Sequence, residues 1–357
     1  MNTVEYPFWV WIFFFAVVLI ALFVDIGIVN RTSHVPSRKE TTAWSIVWVS
    51  LALLFNVFIY WQVGTHNENW TLATNKAIEF FTGYLIELSL SVDNLFVFLL
   101  IFSYFKVPKE FQHRVLFWGI MGALVMRMVM IFAGAELVER FHWIIYVFGA
   151  FLLYTGLKMF SDDDEAFNPE ESKMISVITR YIPITKRYEG NNFLTTIDGK
   201  TTGTLLLLVL IVVELSDLMF AVDSIPAIFG ITTDKFIVYT SNIFAILGLR
   251  TFFFLLADLA DKFHLLKFGL AFVLTFIGAK MLLPLLAGGL MTVLGEANNS
   301  SFALFLQKYL NHDYKQMEIY VSLAVVSGAI LLSIILSLII SPKKGKDVLK
   351  EMEEDLT

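Results

Sequence analysis

The chain has 357 residues, of which 57% are hydrophobic, 15% aromatic and only 16% charged, against about 25% charge in an ordinary soluble domain, and this excludes a soluble fold. It contains no cysteine, so disulfides, thiolate metal sites, iron-sulfur clusters and thiol redox chemistry are excluded as well. The net charge of -6 is accompanied by no clustered basic tract, which argues against nucleic acid as a partner.

A transmembrane helix needs about 20 mostly apolar residues, and nine such runs occur along the chain. Runs at 8–29 and 43–64 fall in a leading part, 1–77. The first has neither a basic start nor a small-residue cleavage site and is expected to stay as a membrane helix. Runs at 78–102, 115–134 and 142–160 make a second part, 78–160. A polar segment, 161–202, opens with Asp162, Asp163, Asp164 and Glu165 and reads as a solvated acidic loop. Runs at 203–230, 235–257 and 265–286 make a further part, 203–286. The segment 287–318 reads as turns around Gly288, Gly289 and Asn298 with one short interfacial helix. A last run, 319–341, leads to a basic tail within 319–357. The runs are continuous rather than alternating, which excludes an outer-membrane barrel. The expected fold is all-α, a polytopic membrane bundle of nine transmembrane helices in a lipid bilayer.

Nine spans put the two termini on opposite sides. One set of alternate loops carries 16 Lys and Arg residues and the other carries 5. By the positive-inside bias this predicts an outer N-terminus and a cytoplasmic C-terminus.

An internal repeat links the second and fourth parts. Phe141-His142 through Gly156-Leu157-Lys158-Met159 matches Phe263-His264 through Gly278-Ala279-Lys280-Met281 at an offset of 122. Arg127 pairs with Arg250 at 123, and Val92-Asp93-Asn94 with Val222-Asp223-Ser224 at 130, an offset that also places Glu87 on Asp217. Three spans per copy is an odd number, so the second copy enters from the opposite face. Such an inverted 3+3 repeat is common in secondary transporters, with the substrate site near the midplane between the copies.

Span 3 carries Glu87 and Asp93, and span 6 carries Glu214, Asp217 and Asp223. Each ionised carboxylate near a helix centre costs about 2.5 to 3.5 kcal/mol on insertion scales, so all five need compensation. Arg127 and Arg250 leave up to three negative charges over, an excess suited to a divalent cation. A set of buried arginine-carboxylate pairs that merely fixes packing would need evenly matched charges. Ser91, Asn94, Ser216 and Ser224 add oxygen donors, while the six histidines lie in loops or at span ends. That donor set suits Mn, Mg or Ca rather than Cu(I) or Zn. Residues seven apart differ by about 20° around a helix, so Glu87, Ser91 and Asn94 share a stripe, as do Asp217 and Ser224 with Glu214 beside them. Asp93 and Asp223 fall off these stripes, and a helix break at Pro226 would bring Asp223 in.

The stretches Gly83 to Asn94 and Val213 to Ala227, with Thr240-Ser241-Asn242 through Arg250, resemble the TerC family of integral membrane proteins, and within it the Alx-type inner-membrane members. Leu88 stands where the family often has Lys. The resemblance implies export of Mn(II) across the cytoplasmic membrane, with Glu87, Asp93, Asn94, Glu214, Asp217, Asp223 and Ser224 as candidate ligands. Ser91, Ser216, Arg127 and Arg250 would support them. Members of the family also carry tellurium-resistance and redox-modulator labels. With no cysteine and no histidine pair in the spans, a redox effect is expected to follow from altered metal levels. No resident cofactor and no enzymatic activity are expected, since the spans lack nucleophile and zinc-hydrolase motifs. Proton coupling is expected from the number of buried acids. The competing reading is a membrane scaffold or assembly factor whose buried charges hold helices together.

Overall fold

The computed structural model describes residues 4, 6–24, 38–161, 182–185, 187–197, 199–257, 265–294 and 315–340. The acidic run Asp162 to Glu165, most of the expected interfacial helix in 287–318 and the basic tail lie outside the described residues, as does the side chain of Asp93.

Ten helices and one hairpin are described: α1 Phe8–Val24, α2 Arg38–His66, α3 Trp70–Tyr104, α4 Lys109–Arg140, α5 Ile144–Ser161, β1 Leu194–Ile197, β2 Lys200–Gly203, α6 Leu205–Phe229, α7 Lys235–Leu247, α8 Leu249–Ala257, α9 Leu266–Leu294 and α10 Lys315–Ile339. The chain is an all-α polytopic membrane protein. Five helices are long and apolar enough to cross a membrane: α2, α4, α6, α9 and α10. The pair α7 and α8, bent by 42° at Gly248, makes a sixth if taken as one broken span. The expected count of nine also needs α1, α3 and α5, so it goes beyond what length and apolarity alone license. Helices α1 and α5 have 17 and 18 residues, just under the usual span of about 20. Helix α3, with 35 residues, carries Lys76, Glu79, Glu87 and Asp93.

Short connections make neighbours antiparallel. Phe105 to Pro108 turn α3 into α4, and Phe141 to Trp143 turn α4 into α5. Asn69 starts α3 by accepting from the Leu72 amide at 2.9 Å, and Asp234 starts α7 by accepting from the Phe236 and Ile237 amides. Such N-caps satisfy amides that the helix itself leaves open.

Helices α3, α4, α6 and α7 form the centre, with α2 packed on α3 and α7. Helix α5 lies along α9 in the most extensive helix pair among the described residues. A Cβ on Gly278 would stand 2.4 Å from the Leu153 amide nitrogen and 2.7 Å from the Gly149 carbonyl oxygen. A Cβ on Gly156 would stand 2.6 Å from the Thr275 amide nitrogen and 2.8 Å from the Ala271 carbonyl oxygen. The two contacts are reciprocal at the sequence offset of 122, since Gly156, Gly149 and Leu153 correspond to Gly278, Ala271 and Thr275.

Pro226 does not break α6, which runs unbroken to Phe229. The expected discontinuity is corrected here. Pro226 lies in the last turn, so its missing amide frees one carbonyl near the helix end, and the Gly230 amide closes that end by donating to the Pro226 carbonyl at 3.0 Å. The bend falls instead at Gly248, between α7 and α8.

Candidate functional site

The centre of the bundle is built on one arginine. Arg127 of α4 is 0% exposed, and its guanidinium grips Asp217 of α6 with two bonds, Nη2 donating to Oδ1 at 3.0 Å and Nε to Oδ2 at 3.3 Å. Its Nη1 pairs with Glu87 of α3 and donates to the Ser224 hydroxyl of α6 at 3.5 Å. A planar guanidinium suits such a fork because it offers several donors in fixed directions. Glu87 is 1% exposed and Asp217 3%. The two acids that the sequence repeat sets in register therefore converge on the same cation, from different helices.

Other predicted residues stand apart from this cluster. Glu214 is half-buried on α6, and its carboxylate lies where a Cβ on Gly122 of α4 would be, 2.0 Å from Oε1. The missing side chain at Gly122 is what makes room for it. Gly122→Ala is expected to turn the Glu214 carboxylate aside at a stability cost under about 1 kcal/mol, because the atom in the way is the end of a flexible side chain. Unfolding temperature measured beside that of the wild type checks this and should nearly hold.

Asp223 is half-buried and has no ion pair among the described residues. The uninterrupted helix leaves it about 120° from the Asp217 stripe, so it does not join the cluster. Asn94 is buried nearby on α3, and Ser91 is fully buried with no hydrogen-bond partner among the described residues. Ser216 is spent on its own helix, donating to the Val212 carbonyl at 2.8 Å. Arg250 of α8, 5% exposed, lies against the His113 ring of α4. Neither carboxylate oxygen of Glu87 makes a hydrogen bond of ordinary geometry among the described residues, so Arg127 is the cation they show beside it. Among the described residues no three carboxylates or imidazoles are gathered at metal-ligand distance.

Two features were not anticipated from the sequence. Asn242 of α7 is 0% exposed, and neither its amide nitrogen nor its oxygen has a partner among the described residues. An unpaired buried polar group costs about 1–3 kcal/mol. Asn242 follows Ser241, whose hydroxyl would lie 3.0 Å from a Cβ on Gly83, one turn before Glu87.

The second feature is a polar cluster where α3 and α7 begin. Lys76 Nζ lies 2.9 Å from both Glu79 Oε2 and Asp234 Oδ2. Thr232 donates to Glu79 Oε2 at 2.6 Å, and Tyr6 donates to Asp234 Oδ2 at 3.2 Å. Burial, reinforced by Asp234, holds the Tyr6 hydroxyl well above the usual phenol range, so it keeps its proton and donates. Lys280 of α9 adds bonds to the Gly230 carbonyl at 3.4 Å and the Ser322 hydroxyl at 3.0 Å. The opposite end is closed differently. Leu95, Phe98, Phe102, Val115, Leu206 and Phe253 pack there as an apolar cluster, bordered by Tyr188, whose hydroxyl donates to the Phe105 carbonyl at 2.7 Å and is pushed up to about 12 by burial.

Residues 72–346 match the family model described as "Integral membrane protein TerC family". A Myxococcus xanthus protein named "Uncharacterized membrane protein STKORF319" is 45% identical over 92% of this chain and 92% of its own. The Escherichia coli (strain K12) protein named "Putative membrane-bound redox modulator Alx" is 48% identical over 79% of this chain and 88% of its own. No solved structure matches the chain.

Proposed function

The chain belongs to the TerC family of integral membrane proteins, and on that footing we propose that it is a secondary transporter. Its cargo is a divalent cation, Mn(II) by preference, which it carries outward across the cytoplasmic membrane, with protons as the coupling ion and the N-terminus outside. One observation carries the reading. Arg127, wholly buried, is shared by Glu87 and Asp217 from helices that the internal repeat makes equivalent. One positive charge faces two negative ones, and Glu214 and Asp223 stand on α6 without an ion pair among the described residues. A guanidinium in that position is a tethered substitute for a cation. A divalent ion entering between α3 and α6 neutralises both acids and releases Arg127, so the occupied and empty states stay close in energy. The reciprocal contacts of Gly156 and Gly278 support an inverted repeat, the arrangement in which two halves rock about a central site.

Asp217→Asn is expected to cut initial Mn(II) flux into proteoliposomes at least about tenfold, given what a membrane-depth charge is worth, and Asp223→Asn, off the Arg127 cluster, is expected to cut it less. Asp223 makes no ion pair among the described residues, so Asp223→Asn separates transport from folding. Unchanged flux in both variants would remove the site.

The scaffold reading has its own support, because Arg127 already neutralises much of the cluster and no ligand set is gathered among the described residues. It expects a partner that co-purifies and no ion flux. The redox-modulator name belongs to the relatives. With no cysteine in this chain, a redox effect of this protein would follow from the metal content of the cell.

A further inference from the structure

We propose that the cluster of Lys76, Glu79, Thr232, Asp234 and Tyr6 is the gate of this protein, a polar latch that closes the path between the buried acid pair and the end of the bundle where α3 and α7 begin. The inference rests on the transport reading and adds to it the place where the protein opens.

Geometry puts the latch between the acid pair and that end of the bundle. Glu79 and Glu87 lie on the same helix, eight residues or about 12 Å apart. Between them stand Thr82, 0% exposed, and Gly83, which packs against Ile228 of α6 and Ser241 of α7. Apart from the Lys76–Glu79 pair within α3, each bond of the latch joins parts that must separate for an opening to form. Lys76 and Glu79 belong to α3, Thr232 and Asp234 to the connection from α6 to α7, and Tyr6 to the approach to α1. Asp234 does two tasks at once: Oδ1 caps α7, while Oδ2 receives Lys76 and Tyr6. Movement of the start of α7 is thereby tied to release of the ammonium.

The chemistry of the two ends differs in the way a gate requires. At the far end, apolar side chains from α3, α4, α6 and α8 interlock beside the contact of Arg250 with His113, and parting them would expose mostly hydrocarbon to water. At the latch, Lys76 and Glu79 are less than a tenth exposed, so closing it strips two acids and an ammonium of water. Opening returns that hydration. A buried ion pair adds little net stability over packed apolar groups, and a contact of that kind is suited to two states of similar energy. The site itself is sealed in the present state, with Arg127 and Glu87 almost without exposure.

The absence of native cysteine makes the test direct, since one introduced thiol is the only one. Thr82→Cys places it between latch and acids, and Val115→Cys places a second reporter in the apolar end. Each is reacted, in purified protein in lipid nanodiscs, with a cationic methanethiosulfonate that does not enter hydrocarbon. In the otherwise unchanged chain both react slowly. Adding Lys76→Met is expected to speed Thr82→Cys labelling by about tenfold or more through a shift of the closed population, with Val115→Cys unaffected. Lys76→Arg should restore slow labelling. Thr232→Val, which removes only one hydroxyl, should give a smaller change in the same direction, and it carries the test if Lys76→Met does not fold. No acceleration at Thr82→Cys, or equal acceleration at both reporters, overturns the gate. Labelling does not depend on the cargo. Acceleration in a protein without Mn(II) flux upholds the latch and removes the transport reading, and flux with unchanged labelling does the reverse.

Discussion

Arg127→Met should lower the stability of the protein by about 3–5 kcal/mol, the usual cost of leaving buried charges without their partner. Asp217 loses both bonds of its fork and Glu87 the one cation paired with it among the described residues, and both acids are then left with almost no access to water. The variant should show a depressed unfolding temperature by tryptophan fluorescence in detergent. Millimolar Mn(II) or Ca(II) should recover part of the loss, because a divalent ion can occupy the position the guanidinium has left. Combining Arg127→Met with Glu87→Gln and Asp217→Asn should recover most of it without metal, since replacing a whole buried charge cluster costs far less than breaking one. If Arg127→Met melts with the wild type, the guanidinium is not what holds these acids. If metal fails to help while neutralisation succeeds, the cluster is structural and the scaffold reading gains.

The second large effect is expected at the pair α5 and α9. A methyl group on Gly278 meets backbone atoms of Leu153 and Gly149 at 2.4 to 2.9 Å, and backbone cannot swing away as a side chain can. Gly278→Ala must therefore push the two helices apart, at a cost of about 1–3 kcal/mol, and Gly156→Ala should do the same from the other side. The double variant should cost less than the sum, because the first methyl already separates the pair. Gly288→Ala, in open space on the same helix, serves as the control. There the gain in helix propensity should leave stability equal or higher by up to about 1 kcal/mol. Thermal unfolding of the four proteins decides it, and equal melting of Gly278→Ala and Gly288→Ala would mean the helices have slack.

The parts of the molecule legible in sequence were those where the membrane makes a residue expensive. Glu87, Asp217 and Arg127 stand out because a charge at that depth needs a reason, and Arg127 is one of the two arginines within the spans available to compensate the acids. Helical spacing puts Asp217 and Ser224 on one stripe of α6 and Glu87 on a stripe of α3, and the structure brings these three to Arg127, while Asp223, which the expected break was to bring in, stays off the stripe. Pro226 misled, because the damage a proline does depends on how many turns follow it, and here almost none do. Lys76 lies outside the apolar run, which begins two residues later. Helix α3 in fact extends back to Trp70, and the extra turns carry Lys76 and Glu79 inward to Asp234, more than 150 residues away in sequence. Partners that distant leave no periodic trace. Ser216 shows the limit of inferring ligands by residue type: its hydroxyl is already committed to the carbonyl four residues back, a choice that no spacing rule reveals. Asn242 was quoted for its motif alone, and only its burial without a partner marks it out.

The reciprocal glycine contacts also bear on origin. A contact in which position i of one segment meets j of the other, and j meets i, is the pattern of a two-fold homodimer, and here the two segments, α5 and α9, lie on one chain. A gene for a three-helix protein inserted into the bilayer in both orientations would yield such a pair, and fusion would later fix one copy each way. On that history, Arg127 and Arg250 descend from one ancestral residue and have since diverged, the first toward an acid pair and the second toward the ring of His113.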